Sequence, residues 1–263
     1  MAVLPPGTLL QLMYLKERLR RIPAGRFIEI GPGSGEITRV LLDHGWTGSS
    51  YDLESRTIDS LKQRFSSEIA AGRFMPVNHD FLRATQDQVG KADLVISCMV
   101  MEHMDDQGQH AFMHKALKVL QPQGVMIGIV PGSPAHWGIE DDIAGHCRRY
   151  TRTAIKELVS ESGWKLRHVA GLTFPISNFL LPVSNYLVNK AERAKLSLSL
   201  VDRTKASGRR QVAFKTHFPS LLGVLLNPVT MFPAFLIQKL FARSERALVL
   251  YFEASPATGA QDQ

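Results

Sequence analysis

One heptapeptide constrains the fold of this chain more than any other part of it. Residues 29–35 read Glu-Ile-Gly-Pro-Gly-Ser-Gly, at the end of the apolar run 26–30 and directly before a helical pattern at 36–44. Glycines in such a loop permit a tight turn and the close approach of a ligand to the backbone, beside the N–H groups of a helix start. A strand, a glycine loop and a helix in this order predict a nucleotide-binding α/β fold.

Strand and helix patterns alternate along the rest of the first two thirds of the chain. Apolar strand patterns lie at 48–53, 74–77, 93–98, 125–130 and 165–172, and a last one lies at 246–253. Between them, helical patterns occupy 55–71, 107–120 and 151–162, and the Gln-Pro-Gln-Gly run at 121–124 predicts the end of a helix. Strands alternating with helices predict a parallel sheet with helices on both faces.

No such alternation is visible between about residues 173 and 245, so we predict a helical insertion there. The predicted organisation has four parts. They are an N-terminal helical segment (1–25), a sheet domain (26–172 and 246–253), a helical cap (173–245) and a disordered tail (254–263).

Acidic residues follow the second and third strand patterns. Asp52 lies seventeen residues after Gly35, where a carboxylate can accept both ribose hydroxyls of a nucleotide, and Glu54 is the alternative. Asp80 can accept an adenine amino group while the Phe81 ring covers the base; alternatively, Asp80 caps a turn. The dinucleotide fingerprint requires a glycine at position 36, where this chain has glutamate, so an NAD-dependent oxidoreductase is disfavoured.

The ordered set of these motifs resembles the class I S-adenosylmethionine-dependent methyltransferases. More narrowly, it is similar to their small-molecule branch related to ubiquinone-biosynthesis methyltransferases. The resemblance covers residues 20–172 and 246–253. The motifs that carry it are Glu29-x-Gly31-x-Gly33-x-Gly35, Asp52-Leu53, Asp80-Phe81, Ile96-Ser97 with Val100-Met101-Glu102-His103, and Gly145-His146-Cys147-Arg148-Arg149-Tyr150-Thr151 followed by Glu161-Ser162-Gly163-Trp164.

The resemblance implies a Rossmann-like, seven-stranded, mostly parallel sheet whose last strand is antiparallel. It also implies a binding site for S-adenosylmethionine. Glu29, Gly31, Pro32, Gly33 and Gly35 would shape the methionine pocket, Asp52 and Leu53 would bind the ribose side, Asp80 and Phe81 the adenine, and the backbone of Ser97 and Cys98 would lie near the methyl sulfonium.

Two histidines are candidates for a general base. His103 follows the fourth strand pattern, and imidazole titrates near neutral pH; the alternative is that it caps the next helix or orients the loop. His146 is the second candidate. Trp137 and Tyr150 are predicted to line the acceptor pocket. We predict no metal site, because the three adjacent acids at 140–142 point in different directions and are typical of a solvated turn.

The positive charge of the chain is concentrated in one segment. The net charge is +7, and residues 190–215 contain eight basic and two acidic residues. This segment is either a solvated linker or a contact for an anionic partner, such as a membrane surface, a phosphate-bearing substrate or nucleic acid. Two uncharged stretches, 169–189 and 218–238, flank it; each contains prolines, which favours a cap of apolar helices over bilayer-spanning helices, with a membrane-surface cap as the alternative.

The predicted function is methyl transfer to a small or lipid-like acceptor, most simply at oxygen. Amine-directed nucleic-acid methyltransferases carry a polar-Pro-Pro-aromatic tetrapeptide where this chain has Ser97-Cys98-Met99-Val100, so no nucleic-acid partner is expected. Two alternatives stay open: a nucleic-acid methyltransferase that uses the 190–215 patch, and an inactive cofactor-binding interaction module.

The two cysteines, Cys98 and Cys147, give no disulfide framework, which predicts a cytoplasmic protein. The protein would also contact a membrane if the cap lies on a membrane surface. The oligomeric state is left open.

Overall fold

The computed structural model describes residues 3–199, 203, 212 and 218–257 of the chain. They fall into two compact units. The sheet unit comprises Leu19–Val130, Arg152–Val169 and Tyr251–Gln263, and the helical unit comprises Met1–Arg18, Pro131–Thr151 and Ala170–Leu250. The insertion predicted at 173–245 therefore falls within a helical unit, which also includes the N-terminal segment and a stretch around His146.

The predicted seven-stranded sheet is confirmed. Its spatial order is β3-β2-β1-β4-β5-β7-β6, with the first strands parallel and the last one antiparallel. The strands are β1 (Arg26–Ile30), β2 (Thr47–Asp52), β3 (Phe74–Asn78), β4 (Ala92–Cys98), β5 (Leu120–Pro131), β6 (Trp164–Leu172) and β7 (Val249–Pro256).

Burial on both faces explains the composition of the central strands. Strand β4 is almost continuously apolar and buried, as expected for a parallel strand covered by helices on two sides. Its Val95 lies between Ile28 of β1 and Met126 of β5 in the register. The chain order reverses between β1 and β4, and in such sheets ligands bind beyond the carboxyl ends of the strands at this point.

Two helices of the sheet unit begin at residues whose side chains cap them. Helix α6 (Asp106–Val119) begins after Asp105, whose side chain accepts from the Gly108 N–H, and α5 (Gln86–Val89) begins with a capping box between Thr85 and Gln88. Helix α2 buries an apolar face and begins after Gly35 without a side-chain cap. The helices are α2 (Glu36–Asp43), α3 (Ser55–Arg64), α4 (Ser66–Ala70), α5 (Gln86–Val89), α6 (Asp106–Val119) and α8 (Arg152–Glu161).

The helical unit is held together by a buried amide. The Gln238 side chain accepts from the Thr173 N–H at 2.6 Å and donates to the Leu10 carbonyl at 3.3 Å, so one residue joins three distant segments. No described helix is both long enough and apolar enough to cross a bilayer. The helices of this unit are α1 (Pro6–Leu19), α7 (Ile139–Ala144), α9 (Ile176–Glu192) and α10 (Phe232–Leu240), with short 3-10 helices at Arg193–Ser197 and Ser220–Val224.

Three predicted boundaries are wrong. The helix does end before residues 121–124, at Val119, but β5 begins at Leu120 and not at 125, because Leu120 already pairs with Ala92, with an irregularity in the register before Leu94. The last strand covers 249–256, so the first residues of the predicted tail are in the sheet. The helix predicted at 55–71 is two helices, separated at Phe65, whose φ of −115° is not helical. The rest of the tail, 258–263, and most of the 190–215 patch lie outside the described residues.

Candidate active site

The glycine loop between β1 and α2 requires its glycines for two different reasons. Gly31, Gly33 and Gly35 have φ values of 69°, 52° and 81°, a left-handed backbone that favours glycine. A Cβ at Gly31 would lie 2.5 Å from Val100 Cγ2, and one at Gly35 would lie 2.7 Å from the Leu61 and Phe65 side chains. A Cβ at Gly33 would meet no atom of the described residues within 4 Å. Gly31 and Gly35 are thus needed for packing, whereas Gly33 faces the space in which a ligand can approach the backbone.

Hydrogen bonds fix the loop in place. The Gly31 N–H donates to the Tyr51 carbonyl of β2 at 3.0 Å, and the Gly35 N–H donates to the Pro32 carbonyl at 2.8 Å. From α3, the Arg64 guanidinium donates to the Ser34 carbonyl and, at 2.7 Å, to the Glu36 carboxylate. A loop held from both sides is organised before a ligand binds, which reduces the entropic cost of binding.

Glu29 is a buried carboxyl directly beneath the loop. Its Oε2 accepts from Thr38 Oγ1 at 2.5 Å and from Ser50 Oγ at 2.8 Å. Desolvation raises the pKa of Glu29 to about 7, against the opposing effect of these two hydrogen bonds. The side chain therefore changes its charge near neutral pH, at the position where the resemblance implies the methionine pocket.

An acidic and an apolar side chain lie together at the carboxyl end of β2. Asp52 is half-buried, and its Oδ1 accepts from the Glu54 N–H at 2.8 Å. Burial raises the pKa of Asp52 above its ordinary value. The next side chain, Leu53, is 63% exposed. A carboxylate with remaining acceptor capacity beside an exposed apolar side chain suits a nucleoside, which has ribose hydroxyls and a flat base.

Asp80 and Phe81, the two residues predicted to bind the adenine, follow strand β3. Asp80 Oδ1 accepts from the Leu82 N–H at 2.9 Å, and Oδ2 lies 3.5 Å from the Arg83 side chain, so Asp80 does cap a turn. The Phe81 ring is 4% exposed and packs against Tyr51 and Phe112. These contacts leave little of the ring exposed, and its assignment to the adenine stays a prediction.

Strand β4 ends in a strained turn. Met99 has a φ of 54°, unusual for a residue with a side chain, and its N–H donates to the Ile129 carbonyl at 2.8 Å. Before it, Ser97 is buried, and burial together with the carboxylates of Glu102 and Glu29 raises the pKa of the Cys98 thiol, which stays protonated. His103 closes a short 3-10 turn, Met101–His103. The cap of the next helix is Asp105 and not His103, so of the two alternatives for His103 only the orientation of the loop is left.

In the helical unit, a buried carboxylate organises the region around His146. Asp141 is fully buried, and its Oδ1 lies 2.8 Å from His146 Nδ1. Arg149 Nε donates to both Asp141 oxygens at 2.9 and 3.0 Å, and the Gly138 N–H donates to Oδ2 at 2.9 Å. Burial acts to raise the pKa of Asp141, but the hydrogen bonds from His146 and Arg149 outweigh it and hold the pKa below its usual value. Asp141 is therefore an anion that orients the His146 imidazole.

The two predicted acceptor-contacting residues differ in exposure. Trp137 is partly exposed, and its Nε1–H donates to Asp142 Oδ1 at 2.9 Å, which fixes the indole. Tyr150 is buried, and its N–H donates to the Pro131 carbonyl at 2.8 Å. Little of the Tyr150 side chain is exposed, and the assignment of Trp137 and Tyr150 to the acceptor pocket stays a prediction. The prediction of a solvated acidic turn at 140–142 is wrong, because Asp141 is buried among donors.

The carboxyl edge of the sheet thus brings together the residues expected to bind the cofactor. They lie at the ends of four neighbouring strands, in the order β3, β2, β1 and β4, and comprise Asp80, Asp52 with Leu53, the loop 29–35, and Ser97 with Cys98. Sequence reasoning missed Asp141 and Arg149. The available signal was three acids beside a His-x-x-Arg motif, which by itself did not indicate which acid is buried.

The family of the chain is decided by a match over more than half of its length. The family model described as a methyltransferase domain matches residues 9–169. The chain belongs to this family. The fold, the fitting glycine loop and this membership together make it an S-adenosylmethionine-dependent methyltransferase, which confirms the predicted enzyme class and cofactor. The narrower similarity to the ubiquinone-biosynthesis branch stays a prediction.

Solved structures share the fold at low sequence identity. Magnesium protoporphyrin IX methyltransferase from Synechocystis, solved with bound S-adenosylhomocysteine, is 15% identical with a TM-score of 0.53, over 64% of this chain and 77% of that one. A protein from Galdieria sulphuraria, named as a candidate sarcosine dimethylglycine methyltransferase, is 11% identical with a TM-score of 0.58, over 94% of this chain and 85% of that one.

One curated relative matches a short part of the chain. A probable ribosomal RNA small subunit methyltransferase A from Methanospirillum hungatei is 39% identical over 61 residues. The match spans 23% of this chain and 24% of the relative. Such a segment is shorter than the sheet unit, so it carries no statement about the acceptor.

Proposed function

We propose that this methyltransferase transfers the methyl group of S-adenosylmethionine to a hydroxyl oxygen of a small or lipid-like acceptor. The observation that carries the choice of oxygen is the His146–Asp141 pair. A hydroxyl is a weak nucleophile until a base accepts its proton. A carboxylate-held imidazole is an arrangement suited to that task.

The hydrogen bond to Asp141 selects the state of His146 that can act as a base. When Nδ1–H donates to the carboxylate, the basic lone pair is on Nε2. As the imidazole accepts a proton, the anionic Asp141 stabilises the positive charge that develops. Arg149 and the Gly138 N–H prevent the carboxylate from rotating, so the ring keeps its orientation. His103, the first candidate from the sequence, stays the alternative base.

The residues of the cofactor site would each contact a different part of S-adenosylmethionine. Bound S-adenosylmethionine supplies an activated methyl group on a sulfonium. The Asp52 carboxylate would accept from the ribose hydroxyls, Leu53 would contact the base, and the backbone at Gly33 would face the methionine portion. These residues align the donor in one direction, which is the main requirement for in-line methyl transfer. The residues present therefore fit the cofactor.

Two observations support a small acceptor: the names of similar solved structures, and a sequence motif that the segment after β4 lacks. The two solved structures named above carry small-molecule acceptors in their names, a magnesium protoporphyrin and an amine. Those names differ in the acceptor group, so they support a small acceptor but do not indicate which atom is methylated. The choice of oxygen depends on the His146–Asp141 pair. The Ser97–Val100 segment also lacks the tetrapeptide of amine-directed nucleic-acid methyltransferases.

The proposal is tested by identifying the product. The purified chain is incubated with radiolabelled S-adenosylmethionine and a small-molecule and lipid extract of the source cells. We expect an extractable product with a new O-methyl group by mass spectrometry and NMR. Asp141→Asn and His146→Ala should lower incorporation by about 10²–10⁴-fold and change its pH profile, while calorimetry shows unchanged S-adenosylhomocysteine binding. An N-methyl product, or full activity of both variants, would contradict the proposal.

A nucleic-acid acceptor is the second candidate, favoured only by the basic 190–215 segment. The same assay separates the two. If total RNA replaces the extract and the label becomes sensitive to ribonuclease, the acceptor is RNA.

A cytoplasmic location, with contact to a membrane, remains a prediction that cell fractionation tests.

A further inference from the structure

Helix α9 presents its apolar side chains outward. Phe179, Val183 and Tyr186, spaced at i, i+4 and i+7, share one face, and all are exposed, Phe179 by 77%. The opposite face buries Ser184, Val188 and Glu192. In a helix surrounded by water the polar residues normally face outward, so this arrangement is inverted.

Helix α10 and the segment before it show the same inversion. Phe232, Leu236 and Leu240 follow each other at intervals of four residues and are exposed, Leu240 by 82%, while Phe235 and Gln238 face inward. In the preceding segment, Leu221 is 83% and Val229 is 82% exposed. Single exposed apolar residues are common, but outward apolar faces on successive elements of one unit indicate an interaction site.

The charge of this region is strongly positive. Residues 173–246 contain eleven basic and three acidic residues, a net charge of +8, whereas the whole chain has +7. Lys190 and Arg193 are exposed at the end of α9, and the acid beside them, Glu192, is buried and paired with Lys195. An apolar face flanked by positive charge attracts an anionic apolar surface and repels a second copy of itself.

A groove beside the apolar face of α9 has the chemistry for an anionic headgroup. It encloses about 420 Å³ and is lined by Asn185, Tyr186, Asn189, Arg193, Leu196 and Ile139. Asn185, Asn189 and Arg193 succeed one another at intervals of four residues, so amide and guanidinium donors form a row along the helix. Such donors bind phosphate oxygens through charge-assisted hydrogen bonds.

We propose that the outer faces of α9 and α10, with the exposed side chains of 221–229, form a docking surface for an anionic lipid bilayer. The apolar side chains enter the boundary between headgroups and acyl chains, and Lys190 and Arg193 contact the lipid phosphates. This inference rests on the helical unit alone and does not depend on the acceptor of the methyl group.

Vesicle sedimentation of the full chain tests the proposal. Vesicles of phosphatidylcholine mixed with phosphatidylglycerol should bind the protein at low salt, and vesicles of phosphatidylcholine alone should bind it far less. The double variants Phe179→Ser with Val183→Ser and Leu236→Ser with Leu240→Ser should each weaken binding by about 100-fold, because each removes two apolar side chains from the membrane. Arg193→Gln should reduce the preference for phosphatidylglycerol.

The control is Met75→Ser, which removes an apolar side chain as exposed as that of Leu236 from edge strand β3 of the sheet unit. It should bind vesicles like the wild type. Thermal unfolding and S-adenosylhomocysteine calorimetry show that each variant is folded. Absence of sedimentation at low salt, equal binding to both vesicle types, or a dimer in ultracentrifugation that the double variants dissociate would overturn the proposal.

Discussion

Burial gives the Glu29 carboxyl an acidity unlike that of a free glutamate. Its pKa is raised from 4.5 to about 7, mainly by desolvation. An unfolded chain releases this proton near pH 4.5, so between pH 4.5 and 7 the folded state holds more protons than the unfolded state. The stability contributed by the neutral carboxyl is therefore fully present below pH 4.5 and is lost as the pH rises through 7.

Glu29→Gln removes this pH dependence while keeping an oxygen that accepts from Thr38 and Ser50. We expect the free energy of unfolding of the wild type, relative to that of the variant, to fall by about 3 kcal/mol between pH 4.5 and pH 7 and above. Urea unfolding of both proteins across this range measures the difference. Parallel stability curves would show that Glu29 titrates normally in the folded state.

Residues at strand ends were predictable, and residues paired across a turn were not. Asp52 could be placed because a parallel strand fixes where its last side chain lies. Asp141 could not, because its burial depends on the chain folding back so that Arg149 and His146 both reach it. Phe81 and Tyr150 were assigned to binding by residue type and position, but whether an aromatic ring faces a ligand or the core is decided by neighbours distant in sequence, such as Phe112.

At the scale of elements, two substitutions in the glycine loop, Gly33→Ala and Gly35→Ala, should cause the same backbone strain and differ only in what the new methyl group meets. Alanine at Gly33 or at Gly35 would adopt a left-handed backbone, at a cost of about 1–2 kcal/mol in either case. Only at Gly35 would the new methyl group also meet Leu61 and Phe65. We expect Gly35→Ala to destabilise the fold by a further 1–3 kcal/mol or so, as overpacking does.

The methyl group at Gly33 would instead project into the space assigned to the ligand. We therefore expect Gly33→Ala to lower S-adenosylhomocysteine affinity by about tenfold or more with the smaller loss of stability. Calorimetry and urea unfolding on both variants give the two quantities. If both substitutions cost the same stability and the same affinity, the loop does not approach the cofactor as proposed.

Local patterns identified the order of the elements better than their ends. Alternating strands and helices predicted the sheet because each element must bury one face or two. The start of β5 at Leu120 was missed, since the Pro122 and Gly124 signals are local, whereas the pairing of Leu120 with Ala92 is a contact between strands distant in sequence. In the same way, β7 extends to Pro256 because pairing continues it: beyond the strand, the Ala257 N–H still donates to the Gly163 carbonyl.

At the scale of the whole molecule, the helical unit gathers three separate parts of the chain. The insertion at 173–245 was predictable as a break in the alternation, but its association with the N-terminal helix was not, because no local pattern links α1 to α10. That association depends on single contacts between distant residues. Gln238 provides the most informative of them, since its amide binds backbone groups of Leu10 and Thr173.

Gln238→Leu keeps the size of the side chain but leaves the buried Thr173 N–H without its acceptor and removes the additional hydrogen bond to the Leu10 carbonyl. We expect a loss of about 2–3 kcal/mol in the stability of the helical unit. The neighbouring Lys239→Met is the control, because it breaks a partly exposed ion pair with Glu17 and a contact of the ammonium with the Phe235 ring, each of which contributes about 1 kcal/mol or less. Hydrogen exchange should show faster exchange in α1 and α10 of Gln238→Leu, while amides of β1 and β4 keep their protection. Equal loss of protection in β1 and β4 would mean that the two units unfold together, and that Gln238 stabilises the whole chain and not one unit of it.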